Sequence, residues 1–138
     1  MKQASGELTV ETGRAGLHEI TREVARWVAA QGITAGLLTL FCRHTSASLV
    51  VSENAAPAVQ RDLQRWIARV APESGDYEHD DEGPDDMPAH LRAAMTDVSL
   101  SIPVADGAMA LGTWQGVFVW EHRAAPHRRQ VALHLIGQ

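Results

Sequence analysis

Ala35–Phe41 and Ser48–Val51 read as two apolar strands, with only a short polar segment around His44–Ser46 between them. Parallel neighbours need a crossover of about a dozen residues or more, whereas antiparallel ones need only a turn. The same closeness recurs late in the chain. There Val98–Val104, Val117–Glu121 and Gln130–Ile136 read as three further strands, with Asp106-Gly107 as a turn. Residues 5–12 alternate and give another strand. Thr21 is placed to cap a helix over Arg22–Gln31, with Val24, Trp27 and Val28 on its apolar face and Gly32 at its end. Pro57 suits the first turn of a second helix. Its stripe is Val59, Leu63, Trp66, Ile67 and Val70, and Arg61, Arg65 and Arg69 occupy another face, in water. Pro72 stops it, and residues 73–86 form a loop leading to a short helix over Pro88–Met95. The order predicts an α+β fold with a mostly antiparallel sheet, in one domain spanning residues 1–138.

The composition excludes several classes. A single cysteine, Cys42, rules out an intrachain disulfide, and its strand-like setting predicts a packed free thiol. No apolar run approaches the roughly 18 residues of a membrane-spanning helix. Residues 1–20 carry Lys2, Glu7, Glu11, Arg14 and Glu19 and no apolar core of a signal peptide, so the expected location is the cytoplasm. The net charge of −5 is concentrated in the acidic run Asp76–Asp86, read mainly as a solvated loop. One lysine and no basic stripe interleaved with aromatics argue against nucleic acid.

Seven histidines invite a metal hypothesis. Asp86 and His90 share a face if a helix begins near Asp86, His79 lies just before them, and His44 sits where a strand breaks. Three neutral imidazoles with a carboxylate or water suit Zn²⁺ or a similar divalent ion. The structural alternative has Asp86 as a helix cap, His90 bonded to backbone and His79 in water. Ser46 shares a face with His44, which points to a hydroxyl that binds ligand more than to a nucleophile. Glu53 and Asn54 precede the Pro57 helix, where they either cap it or face the same cleft as His44. Trp114 can stack on a heteroaromatic ring while Gln115 reads its edge; the alternative is a tryptophan buried at a strand bend. His122, Arg123, His127, Arg128 and Arg129 form a basic cluster, suited to phosphate or simply a solvated hairpin loop.

These residues together resemble the YjbQ-type family, also described as secondary thiamine-phosphate synthase enzymes, from about Gly6 to Gly137. The strongest piece is Ser99-Leu-Ser-Ile-Pro-Val-Ala-Asp-Gly-Ala-Met-Ala-Leu-Gly-Thr-Trp-Gln-Gly116. His44-Thr-Ser-Ala-Ser48, Glu53-Asn54, Asp62, Tyr77-Glu78-His79 and Asp86-Met-Pro-Ala-His90 match in order. The resemblance implies a two-layer α+β fold with strands in a sandwich and helices outside, and a homotrimer packed through its sheets. It implies an activity joining hydroxymethylpyrimidine pyrophosphate to thiazole phosphate, as a secondary reaction. On that reading His44, His79 and His90 hold a divalent ion (Zn, Mg or Mn), with His44, Asp86 and Glu53 at the reacting centre. Ser46, Asn54, Trp114, Gln115 and Arg128 bind the small-molecule substrate. Two other readings stay open: a metal-dependent hydrolase or other enzyme on a phosphorylated or heterocyclic metabolite, and a non-enzymatic ligand- or metal-binding trimer.

Overall fold

A computed structural model describes residues 1–138. The strands are β1 (Lys2–Thr12), β2 (Gly16–Glu19), β3 (Gly36–Cys42), β4 (Ala47–Glu53), β5 (Ser99–Ala105), β6 (Ala108–Met109), β7 (Gln115–Glu121) and β8 (His127–Gly137). The helices are α1 (Thr21–Ala30), α2 (Pro57–Val70) and α3 (Asp86–Met95). Five strands form one sheet in the order β1-β8-β3-β5-β6, and three form a second in the order β2-β7-β4. Every strand pair is antiparallel. The fold is α+β. β3 and β4, close in sequence, lie in different sheets, so the polar segment between them turns the corner from one layer to the other.

Alternation decides what each face buries. Leu38, Leu40, Val131, Leu133 and Leu135 of the larger sheet meet Leu49, Val117 and Val119 of the smaller one, and Val24 and Val28 of α1 join this core. The intervening residues of β7, Phe118 and Trp120, point the other way and pack with Leu17 and Ile67 beneath α2. The smaller sheet is therefore covered on both faces. The outer face of the larger sheet carries no helix and leaves Leu37, Phe41 and Ile136 exposed. Cys42 is a buried free thiol. No helix is long and apolar enough to cross a membrane.

Local chemistry modifies the expected boundaries. Thr21 does not cap α1: its hydroxyl donates to Glu19 Oε2 (2.8 Å) and accepts the Val117 N–H (2.9 Å), tying α1 to β7 instead. Trp66 and Val70, at the rim of the α2 stripe, remain exposed. Asp106 and Gly107 both have positive φ (52° and 76°), the conformation that a tight β5–β6 hairpin demands. β3 and β8 pair Gly36 with Gly137 at close range. A Cβ on Gly36 would lie 2.2 Å from the Ile136 carbonyl oxygen, so backbone would have to move. Gly36→Ala is expected to destabilise by about 1–3 kcal/mol in urea denaturation. An unchanged midpoint would mean that the two strand ends separate freely.

Candidate functional site

Asp86 and His90 lie one helical turn apart at the start of α3, and the preceding loop returns His79 to them. One ligand atom from each of His79, Glu82, Asp86 and His90 lies within 4.8 Å of the others. The buried Asp86 carboxylate organises the group. Its Oδ2 contacts Nε2 of both His79 (2.9 Å) and His90 (3.1 Å), and its Oδ1 accepts Arg123 Nη1 (2.8 Å). His79 Nε2 is also 3.0 Å from Glu82 Oε2. Arg123, just beyond β7, is held in turn by Asp85 Oδ2 (3.0 Å) and the Glu82 carbonyl (3.1 Å).

His90 Nδ1 donates to the Thr45 carbonyl at 3.0 Å, because a carbonyl can only accept. Its Nε2 therefore carries a lone pair whenever the ring is neutral. A backbone carbonyl that takes one ring N–H and so leaves the other nitrogen's lone pair free to bind is how ligating histidines are commonly oriented. Burial opposes ionisation of Asp86, but the His79 hydrogen bond and the nearby His90 and Arg123 hold its carboxyl below the usual range. The same hydrogen bond to Asp86 raises His79 above its ordinary value, with Asp81 and Glu82 adding to it. The donor set fits a divalent ion: two imidazole nitrogens, one oxygen of a carboxylate whose other oxygen is held by an arginine, and a second carboxylate close by.

His44 lies outside this cluster. Its Nε2 accepts the Gln130 N–H at 2.7 Å, which occupies the lone pair a metal would need. Burial, assisted by Arg129, keeps the ring below its ordinary pKa. Ser46 is buried, with Oγ accepting Arg129 Nη2 at 3.0 Å, so it is packed rather than offered to a ligand. Arg128 does not reach the site: it pairs with Glu11 (2.9 Å) on the outer face of the larger sheet, while its neighbour Arg129 points inward. Burial raises the Cys42 thiol pKa, and no activated nucleophile adjoins the cluster.

Glu53, Asn54, Trp114 and Gln115 gather elsewhere. Glu53 Oε2 accepts the Ala55 and Ala56 N–H groups (3.0 and 2.8 Å) at the start of α2. Asn54 N–H bonds the Trp114 carbonyl (3.0 Å), and its side chain donates to Glu19 Oε2 (3.0 Å). Gln115 Oε1 accepts the Gly112 N–H (2.8 Å). Trp114 is 63% exposed, which overturns the buried alternative. β4 and β7 pair Ala47 with Glu121 at the histidine end and Glu53 with Gln115 at the other. Six residues of strand put the two groups about 20 Å apart within one chain. Within one chain, the residues expected to share a single pocket therefore fall into two separate groups.

Two functional neighbours lacked a sequence signal. Glu82 sits in an acidic run in which nothing distinguishes it, and Arg123 belongs to a basic cluster that also suited a solvated loop. That cluster is in fact partly core. Glu121 is fully buried, chelated by Arg129 (Nε to Oε1, 2.7 Å; Nη2 to Oε2) and by the Thr12 hydroxyl. Its Oε2 also accepts the Arg123 N–H at 3.1 Å. His122 is buried beside it, its Nε2 2.9 Å from Ser48 Oγ, which contacts the Thr96 hydroxyl at the end of α3 (2.6 Å). The other nitrogen of His122, Nδ1, has no partner.

A family model described as UPF0047 protein YjbQ-like matches residues 6–138. A UPF0047 protein of Synechocystis sp. is 48% identical over 132 residues, covering 95% of this chain and 90% of that protein. The UPF0047 protein YjbQ of Escherichia coli is 41% identical, covering 95% and 96%. A YbjQ-like protein of Sulfolobus solfataricus superimposes with a TM-score of 0.92 at 25% identity, covering 99% of both chains. A yjbq/upf0047 family protein of Clostridium acetobutylicum gives a TM-score of 0.87 at 33% identity, covering 94% and 98%.

Proposed function

This chain belongs to the UPF0047 protein YjbQ-like family, and we propose that it is a small divalent-metal-dependent enzyme of the secondary thiamine-phosphate synthase type. The reaction joins hydroxymethylpyrimidine pyrophosphate to thiazole phosphate. The thiazole nitrogen forms a bond to the pyrimidine CH₂ as the C–O bond breaks, and pyrophosphate leaves with the electron pair. The observation that carries this reading is the convergence of His79, Asp86 and His90, with Glu82 alongside and Arg123 on the outer carboxylate oxygen.

A bound ion would supply positive charge for the departing pyrophosphate. His79, Asp86 and His90 would hold it. The chain's own part is electrostatic. Arg123 holds the Asp86 carboxylate in place, and the Thr45 carbonyl fixes the His90 ring. The displacement needs no protein nucleophile, which agrees with a buried Ser46 and a buried Cys42. Trp114, about 20 Å away in the same chain, serves this centre only across a subunit boundary. A homotrimer packed on the bare face bearing Leu37, Phe41 and Ile136 is the assembly we propose for that role.

Metal content and thiamine-phosphate formation should be measured together in untagged wild type and His90→Ala. The expected result is near-stoichiometric metal in wild type, with metal and product formation both lost in the variant. Full product formation in His90→Ala, or a wild type that neither holds nor takes up Zn²⁺ or Mn²⁺, would sink the reading. Metal retained without product would move the assignment to hydrolysis of another phosphorylated heterocycle.

A further inference from the structure

A second site lies on the far edge of the smaller sheet. In the order β2-β7-β4, α3 and its histidines adjoin β4, whereas this cleft opens between β2 and α2. Its volume is about 260 Å³. One wall is Arg14 to Leu17 and the other comprises Pro57, Gln60, Arg61 and Gln64. No carboxylate lines it, although the chain carries a net charge of −5.

Its two arginines are left without a counter-charge, and Arg14 Nη1 reaches only the adjacent Ala15 carbonyl, at 3.4 Å. The arginine–carboxylate pairs of the chain use Arg43, Arg65, Arg123, Arg128 and Arg129, so Arg14 and Arg61 have no carboxylate partner. Gln64 Oε1 accepts the buried Trp120 indole N–H at 2.8 Å, which orients the amide and leaves its NH₂ group free to donate. Gly16 has φ +126°, and a Cβ there would meet Arg14 Nη1 at 3.1 Å. The missing side chain lets the Arg14 guanidinium lie over the cleft floor. The His18 ring bonds the Arg14 carbonyl at 2.8 Å and fixes the backbone that carries it.

We propose that this cleft binds the phosphate group of a small molecule through Arg14, Arg61 and the Gln64 amide. Two guanidinium forks match phosphate oxygens. The volume is slightly below the roughly 300 Å³ at which whole drug-sized ligands are housed, which suits one charged group with the rest of the ligand outside. The site is independent of the metal reading.

The test is an amide NMR titration with inorganic phosphate at constant ionic strength, repeated with phenyl phosphate, in wild type and the double variant Arg14→Gln/Arg61→Gln. Saturable shifts at Gly16, Leu17 and the Gln64 side chain are expected, with affinity at least about tenfold weaker in the double variant. Its metal content and thermal midpoint should match wild type. Tighter binding of phenyl phosphate would identify a phosphorylated organic ligand, and equal binding the free ion; both keep the site. Shifts that do not saturate, that chloride reproduces, or that persist in the double variant overturn it, as do shifts confined to His79 and His90.

Discussion

Arg129→Met should lower the unfolding free energy by about 3–5 kcal/mol, because it strands a buried carboxylate without its counter-charge. Glu121 has no exposed surface, and Arg129 supplies two of its hydrogen bonds. What remains is the Thr12 hydroxyl and the Arg123 N–H, two donors without the opposing charge. The ion pair, with the hydroxyl and the amide, holds the Glu121 carboxyl below its ordinary pKa despite burial, so the stranded group is expected to ionise only at a higher pH. Glu121→Leu combined with Arg129→Met removes both charges and should recover much of the loss. Guanidinium denaturation of the single and double variants decides the matter. A single variant within about 1 kcal/mol of wild type would mean that water reaches Glu121.

Stability should also fall by about 3 kcal/mol between roughly pH 7 and pH 4 through one histidine. Burial, with help from Arg92, lowers the His122 pKa from 6.5 to about 3. The unfolded chain therefore binds a proton that the folded chain refuses. The stabilisation from a neutral His122 is complete above 6.5 and is lost progressively as pH falls from 6.5 towards 3. His44, also held below its ordinary value, acts in the same direction, and His79, held above it, acts in the opposite one. His122→Gln isolates the group: with chelator present throughout, its stability should change far less over this range. Parallel pH slopes for the two proteins would remove His122 as the cause.

Where periodicity is strong, the sequence specifies the fold well. The stripes of α1 and α2 and the runs of β3, β5 and β8 are recognisable because alternation or a 3.6-residue period repeats within each. β2 escapes because Gly16–Glu19 is only 4 residues long, and its pairing with β7 depends on a partner a hundred residues away in the chain. The histidine site is legible in part for the same kind of reason. Asp86 and His90 share a helix face by spacing alone. The assignment of His44 as a ligand rests on its place where a strand breaks, but its ring turns to the Gln130 amide, a partner 86 residues away that local sequence cannot show. Arg128 and Arg129 could be told apart only by the register of β8, which requires knowing where that strand starts.

The joint between the two sheets has a mechanical consequence. The His44 ring grips the Gln130 amide of the larger sheet, and the next residue, Thr45, grips His90 on α3. Two consecutive residues, one through its ring and the other through its carbonyl, thus rivet a sheet to a helix that shares no strand pairing with it. The tolerance on the position of His90 is set by covalent bond lengths more than by the reach of a loop. Side chains elsewhere on the α3 surface can vary widely, whereas an insertion of a single residue between His44 and Thr45 would throw the imidazole out of alignment with Asp86.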